Sequence, residues 1–205
     1  MTTPSDTDTI PQTGFDPVAF WLEHKTKVII YGALLAIAII GFVVYEISAQ
    51  TTITKSRQAL ASAGNEDSYR QVIQDYPKTV AAGNASLLLA EILRGEKKYD
   101  DAVTVLQNMI DKQPDHPLID GAWLSLACTY NEQGKTDQAL DTYKHVASAF
   151  ADRYSAPQAL LAEAEILKAK GNLEEAKTTY ESVKSQFPDS YFAGEATRKL
   201  QLLKK

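Results

Sequence analysis

Hydrophobic and polar positions divide this chain into one continuous apolar run and a longer, periodic remainder. Val28 to Tyr45 reads VIIYGALLAIAIIGFVVY, 18 residues without a charge or a strongly polar group. As a helix the run measures about 27 Å, enough to cross the hydrocarbon core of a bilayer. Lys25 and Lys27 stand before it and Glu46 after it, while Trp21, Tyr31 and Tyr45 lie near its ends, where amphipathic rings sit at a membrane interface. A cleaved signal peptide has a short basic start and an apolar stretch of about 7–15 residues. Here 27 residues precede the run and Ile47-Ser48-Ala49 makes a mediocre cleavage site, so the pattern predicts an uncleaved transmembrane helix over 28–47.

The flanks add detail. Residues 1–27 form a tail whose first 14 residues, rich in Thr, Ser, Asp and Pro, are expected to be disordered. Asp16-Pro17 has the chemistry of an N-cap and first helical position. Val18, Phe20, Trp21 and Leu22 would let a short helix there lie on a membrane surface. Lys25 and Lys27 are closer to the span than Lys55 and Arg57, which favours an amino terminus on the inner side. No Gly or Pro interrupts the stretch between Phe42 and Ala63, so the helix can run on towards Gly64; the alternative is a flexible joint around Ser48 to Thr52.

Beyond residue 64 the apolar positions recur every 37 residues. Ala85, Ala122, Ala159 and Ala196 share one phase; Ala90, Ala127 and Ala164 another; Ala102, Ala139 and Ala176 a third. Leu106, Tyr143 and Tyr180 keep the same step, as do Met109, Val146 and Val183, and Tyr76, Gln113, Phe150 and Phe187. Each unit holds two apolar faces of helical period, separated by turn signals such as GEKK, GKT and GNL. The spacing predicts helical hairpins near 84–112, 120–149 and 157–186, in which small alanines let paired helices approach. The predicted core is Leu89, Ala90, Ala102, Leu106, Leu126, Ala127, Ala139, Tyr143, Ala164, Ala176 and Tyr180.

These columns resemble the tetratricopeptide repeat. The middle unit carries Trp123, Leu126, Ala127, Tyr130, Gly134, Ala139 and Tyr143; the third keeps Ala164, Gly171, Ala176, Tyr180 and Pro188; the first keeps Leu89, Ala90, Tyr99, Ala102 and Pro114. Departures are the 37-residue period, Glu163 where the pattern has Leu, and Gly95 displaced by two positions. The resemblance implies an all-α, right-handed solenoid of helical hairpins preceded by a single transmembrane helix. It divides into a stalk and partial repeat over 48–77, three repeats over 78–190 and a capping helix over 191–205, whose Arg198, Lys199, Lys204 and Lys205 supply a polar outer face. It also implies that the first helix of each hairpin lines a concave, protein-binding face. Carried over by position, that face is Asn84, Leu87, Glu91 and Arg94, then Gly121, Leu124, Cys128 and Asn131, then Gln158, Leu161, Glu165 and Lys168.

One anchor followed by a small divergent repeat domain is similar to the ancillary subunit of the bacterial Sec translocon and its relatives. That resemblance implies a single-pass protein of the bacterial inner membrane with its repeats in the periplasm. It would act as a chaperone-like partner of translocon subunits and of exported or unfolded polypeptides. The alternative is a scaffold subunit of an envelope complex for cell division or outer-membrane assembly.

Composition narrows the classes further. A formal charge of −5 argues against nucleic acid, which needs a clustered cationic face. The single cysteine, Cys128, excludes an internal disulfide and any multi-cysteine metal site, and is expected to be a small core residue. His24, His116 and His145 are isolated from one another and expected on the surface or in loops. Gly134-Lys135-Thr136 echoes a phosphate-binding loop but lacks its upstream glycine and strand, which leaves a turn between helices. Asp100-Asp101 and Glu174-Glu175 open second helices, where acids favour the positive end of the helix dipole. No nucleophile, base and orienting group come together, so no enzyme, cofactor, metal or small-molecule substrate is expected.

Overall fold

The computed structural model describes residues 16–203, which are helical apart from short turns; among the described residues there is no strand. The expectation of disorder over 1–14 and the roles given to Lys204 and Lys205 lie outside the described residues. The chain divides into two compact units, Met1–Thr51 and Thr52–Lys205.

Helix α1 spans Pro17–Ser62. Asp16 starts it as expected: its Oδ1 accepts from the backbone N–H of Val18 at 2.9 Å and of Ala19 at 3.2 Å. The separate surface helix expected around Val18 to Leu22 does not form; those residues are the first turns of α1. Nothing between them and the apolar run breaks the ladder, and extending a helix by one residue is cheaper than nucleating a second. The stretch from Ser48 to Thr52 is helical as well. There the Thr51 hydroxyl donates to the carbonyl of Ile47 at 2.8 Å, which removes its competition with the ladder. From Val28 to Ile47 every residue is exposed, and the helix is long and apolar enough to cross a membrane.

The second unit holds the end of α1 and helices α2 (Glu66–Asp75), α3 (Val80–Gly95), α4 (Tyr99–Lys112), α5 (Ile119–Glu132), α6 (Thr136–Ala149), α7 (Ser155–Ala169), α8 (Leu173–Gln186) and α9 (Tyr191–Leu203). The pairs α3–α4, α5–α6 and α7–α8 are the three hairpins. Helix α3 begins four residues before the expected position 84 because Thr79 caps it, its Oγ1 accepting from the Ala82 N–H at 3.2 Å. Each helix from α2 onward packs on the next, and α3, α5 and α7 also pack on the next odd-numbered helix, up to α9. No such contact joins α2, α4, α6 and α8 to one another, so the odd helices form a tighter inner row and the even ones a splayed outer row.

All eleven predicted core residues are buried. The alanine columns have no exposed surface at Ala85, Ala122, Ala159 and Ala196, which is what allows adjacent helices to close. Val72, Met109, Val146 and Val183 form a matching buried column on the outer helices. The end of α1 contributes Ala59 and Leu60, with Ala63 just beyond, to a small core around Val72, Ala81 and Ala85.

Both kinds of turn repeat with the sequence period. Within hairpins, Lys97, Gly134 and Gly171 take positive φ of 60°, 80° and 84°. The next residues, Lys98, Lys135 and Asn172, send their N–H back to Leu93, Tyr130 and Leu167 at 2.8, 2.9 and 2.9 Å, which closes each inner helix as a Schellman motif. Gly95, the displaced glycine of the first unit, ends α3 two residues before that position, which Lys97 therefore fills. Between hairpins, Thr79, His116, Arg153 and Ser190 donate backbone N–H bonds to Tyr76, Gln113, Phe150 and Phe187.

His116 stands in the second of these turns, one of the two places expected for it, and is buried there. Its Nδ1 accepts from the Leu118 N–H at 3.0 Å and its Nε2 lies 3.1 Å from the Val80 carbonyl, so it serves as cap and cross-link together. Gly83 makes room for it, since a Cβ there would lie 2.4 Å from His116 Nε2.

Candidate functional site

Helical period sets what faces the inner side of the solenoid. Positions spaced three and four apart on α3, α5 and α7 share one face, and the twelve residues carried over from the repeat pattern have that spacing on these helices. Leu87 and Leu124 are half-buried against the larger core cluster and Leu161 against the smaller one. Their aliphatic ends form a discontinuous apolar row one residue wide. Around it, Glu91 and Asn131 are exposed, while Asn84, Gly121, Gln158 and Lys168 are partly covered. Asn84 keeps its Oδ1 buried without a protein hydrogen-bond partner.

Two residues of the face are committed to neighbouring helices. Arg94 on α3 donates from Nε and Nη2 to the two carboxylate oxygens of Glu132 on α5, at 3.1 and 2.9 Å, and also pairs with Glu91 at 3.2 Å. This bidentate bond ties the first inner helix to the second. Glu165 on α7 accepts from the Tyr180 hydroxyl at 2.7 Å and pairs with Lys199 of α9 at 2.6 Å. Burial pushes the Glu165 carboxyl up, but Lys199 and Tyr180 outweigh it and hold the group below its ordinary range. Burial, reinforced by the neighbouring carboxylate, holds the Tyr180 hydroxyl well above its usual value.

Cys128 occupies the column of Glu91 and Glu165. It is half-buried rather than deep in the core, and accepts from the Tyr143 hydroxyl at 3.3 Å. Burial, with Cys128 beside it, keeps that hydroxyl protonated far above the ordinary range.

Glu132, Tyr143, Tyr180 and Lys199 complete this face, and positional transfer did not find them as its members. Lys199, expected on the outer surface of a cap, turns inward to Glu165. Its offset from Glu165 is 34 residues and that from Arg94 to Glu132 is 38, so neither pair follows the period of 37. Arg198 pairs with Glu195 on its own helix. His145 is exposed on α6 and packs against Trp123, ring centroids 4.3 Å apart. Asp100, Asp101, Glu174 and Glu175 stand in the first turns of α4 and α8, as expected. Among the described residues no group of three or more His, Cys, Asp or Glu side chains is arranged to hold a metal ion.

The sequence pattern of the tetratricopeptide repeat-like domain matches residues 19–203. This chain belongs to the tetratricopeptide repeat-like family. The match starts before the apolar run and takes in all of α1 from residue 19. No functionally curated protein matches the sequence. Among solved structures, the chain is similar to a crystal structure of nearly identical TPR-like repeats from Podosopora anserina. Identity is 18% and the TM-score 0.48, over 59% of this chain and 64% of that one. A single-substitution variant of the same protein gives 19% identity and a TM-score of 0.49 over the same shares. The chain thus spans less than two thirds of the length of those structures. Tetratricopeptide repeat-like domains generally mediate protein–protein contacts and are typically non-enzymatic scaffolds.

Proposed function

We propose that this chain is a membrane-anchored protein-binding module that holds extended or partly folded polypeptides along α3, α5 and α7, as a chaperone-like accessory of the protein translocation machinery. The observation that carries the reading is the row Leu87, Leu124 and Leu161, half-buried at equal spacing along the inner helices. Apolar anchors set at intervals among amides and charges of both signs suit a chain held by a few side chains, with modest polar specificity. Such a face does not suit a ligand of single sign.

Helix α1 supplies the anchor in this reading, supported by its exposed apolar surface and by a family match that includes it. Lys25 and Lys27 favour an inside amino terminus, which places the repeats in the periplasm of a bacterial inner membrane.

Replacing Leu124 by Asp tests the face. With a photocrosslinking amino acid at Asn131, the parent should crosslink to exported chains and translocon subunits in native membranes. The Leu124→Asp protein should keep its helical melt and lose those adducts. A variant that unfolds instead makes the leucine row part of the core and removes the site. Crosslinks to one fixed envelope subunit, with no exported chain among them, would make the protein a scaffold.

A further inference from the structure

Grooves lie on both the first and the third hairpin, and they differ in chemistry. In the first unit a groove has Leu89 of α3, Ile73 of α2 and Val105 and Met109 of α4 in its lining, with Arg70, Lys112 and several amides and hydroxyls around them. Two repeats on, Glu163 takes the place of Leu89, and Thr178 and Thr179 take those of Thr104 and Val105. The resulting groove of about 330 Å³ is lined by Glu163 and Leu167 of α7 and by Glu174, Glu175, Thr178 and Thr179 of α8.

Glu163 is only 8% exposed, and among the described residues none gives it a hydrogen bond or an ion pair. Burial holds its carboxyl above the ordinary range; Lys144 on α6 pulls the other way, and Glu175 adds to the rise. The residue is largely buried while its carboxylate lines the groove, so the charge is partly desolvated with no donor held against it. Nothing in the helix-packing role of this position calls for a carboxylate, since the same column holds Leu89 and Leu126 in the earlier units.

Lys144 stands outside the lining, and none of the lining side chains has a donor to spare. The hydroxyls of Thr178 and Thr179 give their protons to the carbonyls of Glu174 and Glu175, at 3.0 and 2.9 Å, which leaves only acceptor lone pairs free. Carboxylates and spent hydroxyls around Glu163 match a ligand group that brings several donors and a positive charge. Among the described residues this cluster is not arranged as a metal site.

We propose that this groove receives the guanidinium of an arginine presented by a protein partner, its methylenes lying on Leu167 and its N–H groups shared between Glu163 and the carboxylates of α8. Arginine fits better than lysine: it carries five donors in a fixed plane, bridges carboxylates and is less strongly hydrated when buried. The site is distinct from the leucine row. Glu163 and Leu167 each follow an inner-face residue by two positions, about 200° around the helix, so it stands whether or not the inner face binds a chain.

The test uses the full chain in lipid nanodiscs, titrated with N-acetylarginine amide and read by the backbone amide shifts of Thr178 and Thr179. Saturable shifts are expected with this probe, and much weaker ones with the acetylated amides of lysine and citrulline. Glu163→Leu should abolish the saturable response. Glu163→Gln, which keeps the shape of the side chain, should weaken it by about tenfold or more, as expected for the loss of a charge-assisted pair. Asp101→Asn, an exposed change on α4, should leave it intact. Shifts that fail to saturate, that survive both Glu163 changes, or that are matched by the lysine or citrulline probe overturn the proposal.

Discussion

Lys97 holds its backbone at φ 60°, where the equivalent residues of the other two hairpins are Gly134 and Gly171. A residue with a Cβ costs roughly 1–2 kcal/mol in this region, while a glycine costs about 0.5–1 kcal/mol of extra unfolded-state freedom. Lys97→Gly should therefore stabilise the protein by about 0.5–1 kcal/mol. Gly134→Ala and Gly171→Ala should each cost on the order of 1 kcal/mol from the backbone alone, since a Cβ at either site meets nothing within 4 Å. Denaturant melts of the three variants measure both signs. Glu163 is the other residue at odds with its surroundings, a carboxylate in a column of leucines. Its folded carboxyl titrates above the ordinary 4.5, so between the two values the folded chain binds more protons than the unfolded one and stability falls as pH rises. Glu163→Leu should be more stable than the parent at neutral pH by on the order of 1–3 kcal/mol. That gap should narrow as pH drops through the window, because the parent's carboxyl is then neutral in both states. A gap that stays constant across the titration would remove the desolvation account.

At the scale of helices, the solenoid is held by small residues where helices cross and by directed bonds where they run alongside. Ala139 has no exposed surface and faces the core that α5 and α6 share. Ala139→Trp should overpack that crossing and cost on the order of 1–3 kcal/mol, seen as an earlier thermal melt. A variant that melts like the parent would place the crossing elsewhere. The directed bonds are of a different kind. Arg94 to Glu132 and Glu165 to Lys199 join inner helices of successive units, so the polar part of the inner face is partly a structural lattice. This changes what the predicted face has to offer: its leucines, amides and Lys168 remain for a ligand, whereas Arg94 and Glu165 already have partners.

For the whole molecule, the boundary at Thr51 and Thr52 falls inside the continuous helix α1. One element therefore carries both the apolar surface and the first packing contacts of the repeats. With that apolar surface in a bilayer, the protein should resist alkaline extraction from membranes. Its sidedness can be read by cysteines introduced at Thr7 and Thr104 in a Cys128→Ala background. A membrane-impermeant reagent, applied to cells with a permeable outer envelope, should label position 104 and spare position 7. The opposite pattern would reverse the topology.

The linear sequence determined what depends on residue volume and short-range period. Apolar length marked α1, the recurrence of 37 placed three hairpins, and the alanine and aromatic columns named the core. These follow from side chains one or two turns apart, whose mutual positions a helix sets by itself. Tertiary structure alone decided which charges are spent, because the partners of Arg94 and Glu165 come from helices one unit away and off the repeat period. It also decided that His116 is buried in the space Gly83 leaves, and that Glu163, visible in the sequence only as a break in a leucine column, is largely buried while its carboxylate lines a groove. Burial and pairing of polar groups depend on how neighbouring helices seat against one another, and that seating is set by the packing of the whole stack.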